Sequence, residues 1–235
     1  MSAALIGLWE ESQRQHPIDW ALTLLAECGL PRDEAAALSI GERDRRLFAY
    51  RAALLGDVML CVAHCPACGA AAEVKLSAGT LASMTGSDGP IELEALGFRV
   101  RLRAPDSRAV AAAVSARSVE AARARLLAAC VLSIHESDRV LELEQAPPEL
   151  LEVVEEALQE AHPLTDLRLQ LACPACAHVW LSALDVVELL KTEISRAARN
   201  LLEDVHVLAS RYGWGHDEVL RLSPGCRQFY LERAS

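Results

Sequence analysis

The chain has 235 residues, 52% of them hydrophobic and 4% aromatic, and a formal net charge of −10. That length allows one domain or two small ones, and a chain rich in Ala and Leu favours packed helices over an all-β sandwich. The acidic balance argues against sequence-independent DNA binding, which needs a positive footprint. No stretch approaches the roughly 18 uninterrupted apolar residues of a membrane span.

The amino-terminal run MSAALIGLWEESQ soon meets Glu10 and Glu11, and lacks a basic start and a small-residue cleavage site. No signal peptide is read, and a cytoplasmic location is expected. Residues 4–55 read as helices. Leu5, Leu8 and Trp9 share one face at i, i+3, i+4 spacing. Pro17 suits a first helical turn, and Gly29 suits the position just past a helix end. Ser39 and Glu42 form an S-x-x-E capping box ahead of Arg43–Leu55, closed by Gly56. Arg43, Arg45, Arg46 and Arg51 read as a solvated helix face.

After Gly56 the period changes to two. Val58, Leu60 and Val62 alternate into the tetrad Cys65-Pro66-Ala67-Cys68, and Val74 and Leu76 alternate out of it, which reads as strand, tight knuckle, strand. The pattern returns near residue 166. Leu167, Leu169 and Leu171 lead into Cys173-Pro174-Ala175-Cys176, and Val179 and Leu181 leave it. Between the tetrads come a turn signal, Ser87-Asp88-Gly89-Pro90, and a strand with Phe98, Val100 and Leu102 on one face and Arg99, Arg101 and Arg103 on the other. A short helix capped by Asp106 or Ser107 follows, then a helix from Ser118 to Leu132, and an acidic helix from Pro147-Pro148 to about Ala161. From Asp185 a long helical pattern runs to Tyr212 and breaks at Gly213. A short helix near His216–Leu222 precedes a last one capped by Ser223 with Pro224 in its first turn.

Two C-x-x-C tetrads in a reducing compartment are better metal ligands than disulfide partners. Two intervening residues let each knuckle aim both sulfurs at one point. Two such knuckles close a tetrahedral shell on Zn²⁺ and leave no position for water or substrate, so Cys65, Cys68, Cys173 and Cys176 are read as one structural zinc site. The competing readings are a redox C-x-x-C, which belongs where a strand meets a helix N-terminus, two separate sites completed by Cys61, His64 or His178, and two disulfides. The first tetrad ends in Gly69, which tolerates the φ > 0 of a knuckle. The second ends in Ala177-His178, which makes His178 a conceivable supporting group or replacement ligand. Cys28, Cys130 and Cys226 read as buried small hydrophobes, and the role of Cys61 stays open. No nucleophile elbow, phosphate loop, zinc-protease helix or dinucleotide fingerprint occurs, so no enzyme activity is expected.

Several segments resemble the zinc-ribbon-containing baseplate proteins of contractile phage tails and tail-like injection systems, a family that includes the baseplate hub subunit or hub-assembly chaperone of T-even phages. The resemblance is carried by Leu8-Trp9-Glu10, His16-Pro17-Ile18-Asp19, Gly41-Glu42-Arg43-Asp44, Leu54-Leu55-Gly56 and the first knuckle through Gly69. It continues in Phe98–Arg103 before Pro105, Ala121–Cys130, and His162-Pro163 ahead of the second knuckle. Trp180, Asp185, Glu193, Val205-His206, Tyr212-Gly213-Trp214 and Leu222 through Tyr230-Leu231 complete it. Two departures stand out: the missing glycine after Cys176, and Gly225-Cys226 where related sequences tend to be basic.

The fold expected is α+β and helix-rich: a split four-cysteine zinc ribbon with a mostly helical insert and flanking helices. Residues 1–56 form an amino-terminal helical segment, 57–76 and 166–182 the two ribbon halves, 77–165 the insert, and 183–235 a carboxyl-terminal helical segment. The resemblance implies a non-enzymatic baseplate component that partners other baseplate or tail proteins and is assembled into a phage-tail-like particle. The rival class is a cytosolic zinc-ribbon adaptor on nucleic acid or the transcription apparatus.

Overall fold

The computed structural model describes residues 2–84, 89–137, 139–161 and 164–234. Ser87-Asp88 of the expected turn and the His162-Pro163 pair lie outside the described residues. Helices predominate over strands. In chain order they are α1 (Ser2–Arg14), α2 (Pro17–Glu27), α3 (Arg32–Ala37), α4 (Ile40–Leu55), β1 (Val58–His64), β2 (Ala71–Ser77), α5 (Ala78–Ala82), β3 (Ile91–Ala95), β4 (Phe98–Leu102), α6 (Ser107–Val114) and α7 (Val119–Cys130). There follow β5 (Val131–Glu136), β6 (Arg139–Leu141), a 3-10 turn (Leu143–Gln145), α8 (Pro148–Ala161), β7 (Arg168–Ala172), β8 (Val179–Ala183), α9 (Val186–Tyr212), α10 (His216–Arg221) and α11 (Pro224–Ala234). The chain divides into two compact units, residues 1–20 with 187–235, and residues 21–186.

In the first unit α9 sets the frame. Leu190, Ile194, Ala198, Leu201, Val205 and Leu208 are all buried, a repeat that keeps one face of a 3.6-residue helix apolar over five turns. Gly213, at φ +70°, ends the helix and its N–H bonds the Ala209 carbonyl at 2.9 Å, as a left-handed C′ glycine does. Val205, Leu208 and Val219 then form a small core with Trp214, Leu220, Leu222, Tyr230 and Leu231 packed on it. The Ser223 hydroxyl accepts the Cys226 N–H at 3.2 Å, the expected cap of α11.

In the second unit the insert is built on a four-stranded antiparallel sheet in the order β3-β4-β5-β6. Val100, Leu102, Ile134 and Leu141 from its inner face pack with Leu127 of α7 and with Leu150 and Val154 of α8. Its outer face opposes Glu92 to Arg101 and Glu94 to Arg99, with ion pairs of 3.4 and 3.3 Å. Sequence reading names only β4 of these strands and carries the preceding helix to Leu132. The helix instead stops at Cys130, where Arg103 takes its last carbonyls, the backbone N–H on Cys130 at 2.8 Å and Nε on Ala129 at 2.7 Å. Val131 turns directly into β5 because β4 offers it an edge, a tertiary cause that local propensity does not show.

Two further expectations are corrected. Ser39 does cap α4, its hydroxyl accepting the Glu42 N–H at 3.1 Å, but the Glu42 carboxylate turns to Arg45 and Arg46 at 2.6 Å instead of reaching back. Those bonds hold the Glu42 carboxyl below its usual range. Nor is the arginine cluster a solvated face, since Arg43 and Arg51 are 7% and 3% exposed. Arg43 pairs with Asp44 at 2.7 Å, and Arg51 donates to the Gly56 carbonyl just past the helix end. Burial pushes the Asp44 carboxyl up to about 6 against the pull of Arg43. Of the three remaining cysteines read as buried, only Cys130 is so, while Cys28 and Cys226 are exposed. They lie at helix ends, just past α2 and in the first turn of α11, where the chain borders solvent.

Candidate metal centre

Each tetrad joins the two strands of an antiparallel hairpin. β1 pairs with β2 from Val58↔Ser77 to His64↔Ala71, and β7 pairs with β8 from Arg168↔Ala183 to Ala172↔Val179. The knuckles are built by the same hydrogen bonds. In the first, the Gly69 N–H bonds the Cys65 carbonyl at 2.8 Å and the Cys65 N–H bonds Ala70 at 2.9 Å. In the second, Ala177 bonds Cys173 at 3.0 Å and Cys173 bonds His178 at 2.8 Å.

The residue after each second cysteine is left-handed, Gly69 at φ +74° and Ala177 at φ +57°. The absent glycine therefore leaves the turn unchanged and loads strain on Ala177, because a Cβ disfavours that region by roughly 1–2 kcal/mol. Ala177→Gly is expected to stabilise the metal-loaded protein by about 1 kcal/mol, and Gly69→Ala to destabilise it by a similar amount. Thermal or urea denaturation of the two variants checks the pair of opposite signs.

The two knuckles bring the four thiols together. Cys65 Sγ lies 3.7 Å from Cys176 Sγ, Cys68 Sγ lies 3.5 Å from Cys173 Sγ, and all four sulfurs lie within 4.8 Å of one another. A disulfide needs about 2.05 Å, whereas four sulfurs about 2.3 Å from a tetrahedral zinc stand about 3.8 Å apart. The set therefore fits a tetrahedral ion and could hold one. The first cysteine of each tetrad is buried and the second exposed.

Charge also crowds the site. Burial raises the Cys173 thiol, but the N–H groups of Cys176 and Ala175 and the neighbouring thiols outweigh it and bring it down to about 6. The His178 N–H pulls Cys176 down, yet the thiols of Cys68 and Cys173 together with burial push it up to about 12. The Cys173 thiolate is thus favoured at the expense of Cys68 and Cys176, and a cation would offset that repulsion.

His64 and His178 are exposed and are not members of the cysteine cluster. The His178 ring lies parallel to Trp180 with centroids 6.3 Å apart. Cys61 is half-buried opposite Val74. Both tetrads run on into strands, β2 and β8, and not into a helix N-terminus.

One surface escaped the sequence reading. Val58, Leu60 and Val62 of β1 are 51%, 67% and 59% exposed, and Val179 and Leu181 of β8 are 51% and 61% exposed. Alternation reveals that a strand has two faces but not which one is covered. The covered face of β1 is the one carrying fully buried Met59. A signal was present in Met59, Cys61 and Ala63, which alternate just as well.

A family model described as T4 bacteriophage base plate protein matches residues 4–190. The chain belongs to that family. No curated protein matches it, and no solved structure does. As a phage base plate protein it is a structural component of the tail, and other tail or baseplate proteins are its class of partner. The matched residues contain both hairpins, all four clustered cysteines and the whole insert, while α10 and α11 lie beyond them. Among the described residues no helix is long and apolar enough to cross a membrane.

Proposed function

We propose that this base plate protein is a non-enzymatic structural or assembly component of a contractile phage-tail-like injection system, as a hub subunit or hub-assembly chaperone. In this reading Cys65, Cys68, Cys173 and Cys176 hold one structural zinc and form a split zinc ribbon. The observation that carries it is the spacing of the four sulfurs from two distant tetrads, 3.5 and 3.7 Å across the knuckles, close to a tetrahedron's edge. Four thiolates fill the shell, so the ion would bind no substrate and would act as a staple. Residues 57–76 and 166–182 are the ribbon halves, 77–165 the insert, and 1–56 and 183–235 the flanking helical segments. The particle, assembled in the cytoplasm, is where such a protein works.

The carboxyl-terminal aromatics are the proposed docking point for a baseplate partner. Trp214 and Tyr230 stand edge to face at 4.9 Å and pack on the small core, which leaves Tyr212 and Phe229 exposed. The Arg233 guanidinium lies 3.5 Å above the Phe229 ring. Exposed aromatics supply interface hot spots worth about 2 kcal/mol or more each. The double variant Tyr212→Ala, Phe229→Ala is expected to keep its fold and metal but to stop co-purifying with tail tube, sheath or spike proteins. Undiminished co-purification would place docking elsewhere. Salt-dependent nucleic-acid binding without any co-assembly would overturn the baseplate role in favour of the adaptor reading.

A further inference from the structure

We propose that this protein associates with itself head to tail, the basic outer face of α9 in one copy seating the acidic outer face of α8 in another. On α8, Glu149, Glu152, Glu156 and Glu160 are all exposed and recur at i, i+3, i+7 and i+11. They line one side of the helix over about 16 Å, away from the buried Leu150 and Val154. Glu155 is not part of the stripe, being paired with Arg123 at its edge. On α9, Lys191, Arg196 and Arg199 line an open groove of about 460 Å³, with Glu188 at one end. Among the described residues no hydrogen bond or ion pair engages these three cations or Glu149, Glu156 and Glu160, while Glu152 feels the charge of Arg123.

Like charges held along one helix face repel, and opposite charges brought against them relieve that repulsion. The distribution of charge along the chain favours another copy as the source of the second stripe. Residues 187–235 balance seven Lys or Arg against seven Asp or Glu, so the acid excess of the chain resides in the remainder. Setting the balanced terminal helices of one copy against the acidic insert of the next lowers the total repulsion, whereas α8 against α8 would raise it. Such a contact uses two different patches, so it closes into a ring or extends as a chain. The groove's cations, Lys191, Arg196 and Arg199, lie just beyond the matched residues 4–190, whereas α8 lies within them.

The test is sedimentation of the full-length, metal-loaded protein in about 0.01 M and about 1 M salt, where charges are felt over about 30 Å and about 3 Å. Species at multiples of 25.5 kDa are expected at low salt, collapsing to monomer at high salt. Reversing the basic stripe (Lys191→Glu, Arg196→Glu, Arg199→Glu) or the acidic one (Glu149→Lys, Glu152→Lys, Glu156→Lys) should each weaken association roughly tenfold or more. Mixing the two variants should restore it, because each then offers the face the other lacks. A monomer at low salt overturns the proposal. So does association that ignores salt and survives both reversals, which would point to the apolar hairpin faces. Failure of the two folded variants to associate on mixing also overturns it.

Discussion

Chelation of the purified protein is expected to part the two hairpins, with protease cleavage rising near residues 62–76 and 166–182 while most far-UV helical signal survives. The proposed staple would join knuckles separated by the whole insert, and a structural zinc site is worth about 10–16 kcal/mol. The insert, however, has its own core of Val100, Leu102, Leu127, Ile134, Leu141, Leu150 and Val154, and α9 keeps its buried face. Metal analysis should return one zinc per chain, and X-ray absorption should find sulfur alone around it. Two ions, or a nitrogen ligand, would refute the shared site, as would complete loss of helix refute an independent insert core. Cys65→Ser should reproduce the protease pattern without chelator, since Cys65 is buried and a hydroxyl does not replace its thiolate.

Acid should act in the same direction as chelator. Without a cation Cys176 stands near 12, Cys68 is also raised and Cys173 stands near 6, so binding must displace protons from Cys68 and Cys176 at neutral pH. Falling pH gives those protons the advantage, and affinity falls with it, while rising pH strengthens binding. Competition titrations with a chromophoric chelator across neutral pH check the sign. Affinity that holds constant or rises toward acid would mean that fewer thiols take part.

Leu150→Ala is expected to destabilise the insert by about 2–5 kcal/mol and to leave zinc stoichiometry at one. Leu150 is fully buried where α8 crosses the sheet, and such truncations lose both transfer energy and packing around the cavity left behind. Urea denaturation followed by metal analysis of the folded fraction separates the two consequences. Loss of zinc from folded protein would show that the insert core and the metal hairpins form one cooperative piece.

Much of this architecture was legible in the chain itself. Pro17, Ser39, Asp106, Ser118, Ser223 and Gly213 mark helix ends by local chemistry, and the structure places caps or breaks at each. That follows because a cap depends on a few neighbouring backbone groups. The two tetrads were equally legible, since the knuckle is set by the spacing within four residues, and even Ala177 adopts the left-handed turn that glycine would make easier.

What the tertiary structure alone decided was which side of each element is covered and which strands find partners. Val58, Leu60 and Val62 have the alternation of a core face yet lie exposed, because a period of two is symmetric between faces. β5 begins at Val131, before the expected helix end at Leu132, because β4 supplies its hydrogen bonds. Arg43 and Arg51 are buried because the fold covers them while acceptors meet their guanidinium groups, Asp44 and the Gly56 carbonyl from nearby in the chain and Ser107 from 64 residues away. By itself the sequence determined the local turns, the caps and the four thiols. The convergence of those thiols from tetrads at residues 65 and 173 was decided by long-range packing, which no local window contains.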